Sequence, residues 1–179
     1  MLSGTFVKLR AIEPRDIDLM YVWENDVEIW NVSGTTSPFS KYTLEKYIET
    51  CSRDIYTNKQ LRLAIQLNNE SAKTVGYIDL FDFDPLHQRA GVGILIGDKG
   101  ERRKNYAKES LNLLIKYSFD VLNLHQLYCH VHESNETSVH LFLNAGFVQT
   151  GMLQNWIINN GEWENVLVLQ LFNEDEPEE

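Results

Sequence analysis

The sequence is poor in cysteine and proline and contains no long apolar run. Its two cysteines, Cys51 and Cys129, lack the Cys-x-x-Cys or Cys/His spacing of a zinc site or a disulfide framework. No segment reaches the roughly 18 apolar residues that a membrane-spanning helix needs, and the N-terminus lacks the apolar core of a signal peptide. We therefore expect a cytoplasmic protein with no membrane partner and no bound metal.

Positive charge is also scarce. Lysine and arginine total 16 against 26 aspartates and glutamates, which gives a net charge of -10. Because such a field repels phosphate backbones, it disfavours nucleic acid as the main partner. Five of the acids lie in Glu174–Glu179, and we predict an acidic disordered tail at residues 173–179. The preceding residues 1–172 are enough for one domain with a well-filled core.

The spacing of apolar residues predicts alternating strands and helices. A strand near Phe6–Arg10 precedes two helices, one beginning at Pro14 and one around Tyr42–Arg53, with the turn-rich segment Trp30–Phe39 between them. Asn105–Leu122 carries apolar residues at helical spacing and is the strongest helix of the sequence. The other predicted elements are a short helix after Asn135 and the strands Leu61–Leu67, Val75–Phe83, Ala90–Gly97, Leu127–His132, Gln154–Ile158 and Trp163–Leu171.

The connections between these elements predict most of the topology. Short loops join Ala90–Gly97, the long helix and Leu127–His132, so these two strands should be parallel with a right-handed crossover. The flanking strand pairs are interpreted as antiparallel hairpins. Because Ala90–Gly97 is almost wholly apolar, we expect it to be buried on both faces. The predicted fold class is α/β: a single domain with a mixed antiparallel/parallel sheet of about seven strands and helices on both faces.

The turn before the long helix is the segment most informative about function. Arg102, Arg103 and Lys104 lie at a helix start, where the helix dipole disfavours positive charge, in an otherwise acidic protein. Since unpaired N–H groups at a helix start bind anions, the arrangement favours a phosphate-bearing ligand over a solvated run of charge. The glycines of Gly91–Gly97 have the wrong spacing for a dinucleotide-binding turn, and no GxxxxGK[ST] phosphate-binding loop occurs.

Several segments together resemble the GCN5-related N-acetyltransferase (GNAT) family. The family's acetyl-coenzyme A (acetyl-CoA) motif, Q/R-x-x-G-x-G/A, is matched by Arg102–Ala107. Asn123–Tyr128, Asn135 and Ser138–Phe147 resemble the second motif of the family, and the opening Leu9–Asp16 and the terminal Asn-Asn-Gly hairpin are also similar. The resemblance covers nearly the whole chain and is closest to the ribosomal-protein and spermidine acetyltransferase branches.

The resemblance implies an N-acetyltransferase domain at residues 1–172 that uses acetyl-CoA as donor. Backbone N–H groups at the start of the long helix would hold the pyrophosphate, and the strand Ile94–Ile96 would pair with the pantetheine arm. The N–H of Leu95 or Ile96 would polarise the thioester carbonyl. Asn135 would lie beside the arm, although its position also suits a plain helix N-cap. The implied cofactor-binding residues are Ile94, Leu95, Ile96, Arg102, Arg103, Lys104, Asn105, Tyr106, Ala107, Asn135 and Phe142.

Two positions depart from the family pattern. Asn105 replaces a motif glycine, but asparagine tolerates the left-handed backbone conformation better than other non-glycine residues, so the turn can still form. Phe142 replaces the tyrosine that protonates the departing thiolate, so another group or water must supply that proton. These departures keep open a hypothesis of another class, a non-catalytic coenzyme A-binding or sensor module. An enzyme acting on some other phosphorylated ligand is the third hypothesis.

A primary amine must lose a proton before it attacks the thioester, and this requires a base. Amines of the lysine type have pKa values near 10.4, whereas histidines in general titrate close to neutral pH. His130 is the predicted base, and a strand histidine facing a helix is the alternative. His87, Asp82 and Asp84 are weaker candidates. A metal pair formed by His130 and His132 is disfavoured because the sequence shows no third ligand.

The predicted acceptor is a primary amine, either a protein or peptide amine or a small molecule. A polyamine such as spermidine is the alternative, but Trp30–Thr43 contains no acid, whereas polyamine-acetylating relatives carry several there. Trp30, Phe39 and His87 are the candidate acceptor-binding residues, although core packing explains the two aromatic side chains equally well. A homo-oligomer can form if Trp163–Leu171 is an edge strand open to a second chain.

Overall fold

A computed structural model describes residues 2–51, 53–159 and 161–173. Asn160 of the predicted final turn and Glu174–Glu179 of the predicted tail lie outside the described residues. The helices are α1 (Ile17–Glu24), α2 (Val27–Ser33), α3 (Lys41–Cys51), α4 (Ile55–Asn58), α5 (Tyr106–Asp120) and α6 (Glu136–Leu143). The strands are β1 (Val7–Ala11), β2 (Leu61–Leu67), β3 (Thr74–Asp84), β4 (Arg89–Ile96), β5 (Gln126–His132), β6 (Val148–Asn159) and β7 (Glu162–Phe172).

The seven strands form one sheet in the order β1-β2-β3-β4-β5-β7-β6. Neighbouring strands are antiparallel except β4 and β5, which are parallel, as the short connections around the long helix predict. The predicted α/β class with a mixed seven-stranded sheet is therefore confirmed. No helix in the described part of the chain is long and apolar enough to span a membrane.

Helices cover both faces of the sheet, and each face buries its own apolar cluster. On one face, α5 and α6 contribute Leu111, Leu114 and Phe142 to a cluster that includes side chains from β1 to β5 and β7. On the other face, helices α1 to α3 pack around Tyr77 of β3, with Trp23 of α1 meeting the tyrosine ring edge-on at 5.1 Å. Burial of these apolar surfaces supplies the main driving force for folding.

Two helices were not predicted, and one strand is longer than predicted. Asp26 begins α2 by accepting the Glu28 N–H, and Gly34 ends it in the left-handed conformation (φ 72°), where the sequence indicates only a turn-rich segment. The short helix α4 is capped in the same way by Asp54. β6 begins at Val148 instead of Gln154, because two irregularities in its pairing with β7 interrupt the alternation that the prediction requires.

Two further predictions about strands are wrong. β4 is fully buried only from Ala90 to Val92, because the residues from Gly93 to Ile96 have no parallel neighbour and are half-buried. The strand β7, predicted to be an open edge at Trp163–Leu171, lies between β5 and β6. The free edge of the sheet beside it belongs to β6.

The N-terminal segment is held to α5 by a single carboxylate. Glu109 accepts the backbone N–H groups of Thr5, Phe6 and Val7 at 2.7, 2.8 and 2.8 Å. Because hydrogen bonds to a charged group are stronger than neutral ones, Glu109→Ala should lower the free energy of unfolding by about 2 kcal/mol. Urea denaturation measures the change, with Glu45→Ala on the exposed surface of α3 as control. Equal effects of the two substitutions would contradict this role.

Candidate active site

The strands β4 and β5 part after a short paired segment and leave a wedge-shaped cleft. They pair only through Arg89–Gly91 with Gln126–Tyr128. Beyond Gly91, β4 keeps β3 on one edge and β5 keeps β7 on its far edge, so the facing edges have no strand partner in the described sheet. Since N–H groups alternate in direction along an antiparallel strand, one of the two N–H groups of Leu95 and Ile96 faces the cleft. An extended ligand can pair with such an edge.

The segment after β4 ends in an unusual helix start. Arg103 and Asn105 both adopt the left-handed conformation with φ 63°, so the left-handed turn expected of Asn105 is present. The Asn105 side chain does not cap α5, and the N–H groups of the first turn have no partner within the helix. Alternating backbone conformations of this kind turn successive N–H groups toward one point. The arrangement suits a phosphate group.

The three cations at this turn have different surroundings. Lys104 is paired with Glu101 at 2.7 Å. The Arg102 Nε donates to the carbonyl oxygen of Ile96 at 3.1 Å. Arg103 is exposed and makes no ion pair with any of the residues that the structure describes. Arg103 is therefore the cation most available to a bound anion.

Replacement of Arg103 by alanine tests this assignment. We expect Arg103→Ala to raise the Kd for coenzyme A about fivefold at low ionic strength, because an exposed ion pair contributes up to about 1 kcal/mol. The loss should shrink in high salt, which screens exposed charges. Isothermal titration calorimetry at two salt concentrations measures both effects. Lys116→Ala, at the far end of α5, is the control, and equal Kd values for the two variants would contradict the assignment.

Tyr128 and His130 form the β5 side of the cleft, on the face covered by α1 to α3. Tyr128 pairs with Gly91 in the last row before the strands part, and its ring meets the Phe81 ring edge-on at 6.1 Å. Its hydroxyl donates to Asp82 Oδ2 at 3.4 Å. His130, whose ring centre lies 5.6 Å from that of Tyr128, is exposed and has no β4 residue opposite it. This exposure disfavours the alternative of a histidine packed against a helix.

The weaker candidates for the base have different positions. Asp84 closes the hairpin between β3 and β4 by accepting the N–H groups of Leu86 and His87. Asp82 lies at an irregularity of β3 with φ 48°, beside the part of β4 that is still paired with β5. No group of three or more His, Cys, Asp or Glu side chains that could hold a metal occurs within residues 2–51, 53–159 and 161–173.

The three predicted acceptor-binding residues are not brought together. Trp30 lies in α2 instead of a turn, and its indole N–H donates to the Glu24 carbonyl at 2.6 Å. Phe39 is half-buried against the α1 to α3 cluster, and its backbone N–H and C=O both bond to the Asn25 side chain. His87 lies in the exposed hairpin at the end of β4 where β4 and β5 are still paired. The structure thus gives Phe39 a packing role, ties the Trp30 indole to α1 by a hydrogen bond, and leaves His87 away from the opening of the cleft.

Asn135, expected beside the pantetheine arm, and Phe142, implied as a cofactor-binding residue, have clear structural roles. Asn135 Oδ1 accepts the N–H of Ser138 at 3.2 Å, so the N-cap interpretation is confirmed and a contact with the arm stays a prediction. Phe142 is 3% exposed, and its ring meets that of Phe147 edge-on at 5.1 Å. A phenylalanine has no proton to donate to a departing thiolate.

A buried row of charges that the sequence analysis did not predict crosses the sheet toward the cleft. Arg62 of β2 is opposite Asp79 of β3, which is opposite Gly93 of β4. The Arg62 guanidinium donates to Asp79 Oδ1 at 2.6 Å and to Glu24 Oε1 of α1 at 2.7 Å. Burial raises the pKa of Asp79, and Arg62 opposes that shift. Two carboxyl groups thus share one guanidinium beside Gly93.

The fold and the cleft agree with the family that the motifs resemble. The model of the acetyltransferase (GNAT) domain matches residues 7–148, which include the cleft, the start of α5 and the whole of α6. The chain therefore belongs to the GNAT acetyltransferase family. The predictions of an N-acetyltransferase and of acetyl-CoA as its donor are confirmed at this level.

Relatives with more specific names cover almost the whole chain. The spermidine N(1)-acetyltransferase of Vibrio cholerae serotype O1 is 27% identical over 158 residues, which are 88% of each chain. The enzyme of the same name from Escherichia coli K12 is 26% identical over 172 residues, 96% of this chain and 89% of that protein. The crystal structure of the Vibrio cholerae spermidine N-acetyltransferase in complex with CoA and spermine matches with a TM-score of 0.83 and 26% identity, over 93% of this chain and 95% of that one.

Proposed function

We propose that this protein transfers the acetyl group of acetyl-CoA directly to a primary amine, with both substrates bound together in the cleft between β4 and β5. The observation that carries the proposal is the open edge of β4, which leads into the left-handed start of α5. Membership of the GNAT family supports it. The residues proposed to bind the donor are the same residues that the motifs indicate.

The residues of the cleft fit the donor. The edge at Ile94–Ile96 offers alternating N–H and C=O groups to the amides of the pantetheine arm. The N–H groups of residues 103–107 and the Arg103 guanidinium suit the pyrophosphate. When bound, acetyl-CoA supplies a thioester, whose carbonyl carbon accepts an amine nucleophile.

The chain supplies the groups that the transfer requires. The amine nitrogen forms a bond to the carbonyl carbon, and the N–H of Leu95 or Ile96 stabilises the negative charge that develops on the carbonyl oxygen. His130 takes the proton that the ammonium group loses before the attack, directly or through one water molecule, and returns it to solvent. As the carbon–sulfur bond breaks, the thiolate keeps the electron pair, and the second proton lost by the nitrogen reaches the thiolate through water, because Phe142 has no proton to give.

Two classes of acceptor have support. The lack of any acid in Trp30–Thr43 favours a protein or peptide amine or a small amine over a polyamine. The names of the relatives, spermidine N(1)-acetyltransferase in both Vibrio cholerae and Escherichia coli, favour a polyamine. We rank the general primary amine first, because polyamines carry several charges and need several acids for their recognition.

A thiol-release assay with acetyl-CoA tests the function and ranks the acceptors. The panel contains spermidine, spermine, lysine-containing peptides, peptides with free N-termini and simple alkylamines. We expect amine-dependent release of coenzyme A from at least one class, and mass spectrometry should show the acetylated amine. Binding of acetyl-CoA by calorimetry without release for any amine would contradict the proposal and favour a coenzyme A sensor.

A homo-oligomer is part of the proposal, with β6 as the strand open to a second chain. The outer edge of β6 has no neighbour in the described sheet. Trp156 and Ile158 of β6 and Trp163 of β7 are 61%, 63% and 63% exposed. Analytical ultracentrifugation of the wild type and of Trp156→Ser tests this assembly, since a single monomeric species for the wild type would exclude it.

A further inference from the structure

Gly93 differs from the other glycines in and around β4, because close packing does not explain it. A Cβ at Gly91 would clash with the Phe81 ring, one at Gly97 with the Trp23 ring, and one at Gly76 of the neighbouring strand β3 with the Leu95 carbonyl oxygen. A Cβ at Gly93 would have its nearest neighbours at 3.8 and 3.9 Å, an ordinary van der Waals contact. The absence of a side chain at Gly93 therefore leaves room above the strand for a carbon atom in ordinary contact with Phe81 and Asp79.

This space lies at the cleft, on the same face as the predicted base. Gly93 follows Gly91, whose pair with Tyr128 is the last before β4 and β5 part. The atoms nearest to the missing Cβ are Phe81 Cε1 and the Asp79 side chain, with Oδ2 at 3.9 Å. Tyr128 and His130 border the same face from β5.

The walls of this space are suited to a compact cation. Asp79 and Glu24 place two carboxyl groups around the single Arg62 guanidinium, and the side chains of Asp79, Glu24 and Arg62 are only 15%, 16% and 19% exposed. A carboxylate that is poorly solvated gains from an additional N–H donor, and an aromatic ring such as Phe81 attracts an ammonium group. A primary ammonium group offers three N–H donors and needs little space around its nitrogen.

We propose that Gly93 and Asp79 form the binding site for the amino head of the acceptor, which makes them the specificity-determining residues for an unbranched primary ammonium group. The inference rests on the proposed acetyl transfer and names the part of the acceptor that this site recognises. The ammonium first contacts Asp79 above Gly93, and His130 takes its proton from the opposite side of the cleft. A branched carbon next to the nitrogen would fill the space that Gly93 leaves open.

Steady-state kinetics of Gly93→Ala, with a matched glycine as control, test the inference. Gly151→Ala, on β6, is the control. A Cβ at Gly151 would also make only ordinary contacts, with Val168 at 3.8 and 3.9 Å. For Gly93→Ala we expect a rise of about tenfold in the KM of an unbranched amine and a larger rise for an amine with a branched α-carbon. The Kd for acetyl-CoA should stay within about twofold of the wild-type value, because the substitution removes no contact that holds the donor.

A second variant tests the charge. Asp79→Asn keeps the shape of the side chain and leaves Arg62 paired with Glu24, so we expect the variant to fold. Because the substitution removes the carboxylate, the KM for the acceptor should rise about tenfold. If the acceptor KM of Gly93→Ala equals that of Gly151→Ala while the wild type transfers the acetyl group, the inference is overturned and the proposed function stands. Absence of transfer by the wild type to every amine would instead contradict the proposed function, and the inference with it.

Discussion

His130→Ala should lower kcat about a hundredfold at pH 7, since general-base catalysis typically contributes between about a hundredfold and ten-thousandfold. At this pH most of a primary amine is protonated, and attack on the thioester requires removal of that proton. The deficit should shrink toward pH 10, where the amine loses its proton without help. Thiol release followed from pH 6 to pH 10 with the best acceptor measures the effect.

Two controls separate a catalytic effect from a structural one. His140→Ala, on the exposed surface of α6, should leave kcat unchanged. The Kd of the His130→Ala variant for acetyl-CoA should equal the wild-type value, because the role proposed for the imidazole is to take a proton from the acceptor and not to hold the donor. A pH–rate profile that keeps its wild-type shape in His130→Ala would exclude His130 as the base.

Asp16→Ala should be the most destabilising of the single substitutions considered for this fold. The carboxylate is 2% exposed and accepts two hydrogen bonds from the Arg10 guanidinium, both at 2.7 Å, and one from the Glu13 N–H at 2.9 Å. Its removal leaves a largely buried guanidinium without its main partner, which costs about 3 kcal/mol or more of unfolding free energy. Asp18→Ala, which breaks an exposed pair with Lys41, is the control for urea denaturation.

The same pair makes the stability of the protein depend on pH. Burial on its own would raise the pKa of Asp16, but the bonds from Arg10 and from the Glu13 amide outweigh burial, and the pKa is lowered overall. A lowered pKa means that the stabilisation is fully present above the unfolded-state value of about 3.9 and is lost as the pH falls below it. Between pH 5 and pH 2, the wild type should therefore lose more stability than Asp16→Ala. Parallel pH profiles for the two proteins would contradict this.

Long elements with regular periodicity could be predicted from the sequence, and short ones could not. The helix α5 was found because Leu111 and Leu114 repeat at helical spacing. The helix α2 was missed because Val27–Ser33 is short and contains residues of low helix propensity. Asp26 before it and Gly34 after it are the cap residues that would have indicated both ends.

The candidate site was predicted where a motif determines the backbone and missed where strand register determines it. The motif at Arg102–Ala107 was sufficient to place the unpaired N–H groups. The row from Arg62 to Gly93 depends on which residues of β2 and β3 are opposite each other, and the β2–β3 pairing shifts register between Ile65 and Gln66. Single charges within apolar strands, here Arg62 and Asp79, are the signal that could have revealed it, because a buried charge requires a partner.

The cleft between β4 and β5 should hold the donor with its pyrophosphate at the start of α5. A crystal structure of the protein with coenzyme A would show where the donor binds. We predict phosphate oxygens within hydrogen-bond distance of the N–H groups of residues 103–107, and pantetheine amides paired with the edge at Ile94–Ile96. A coenzyme A molecule bound elsewhere, with side chains filling the cleft, would contradict the account.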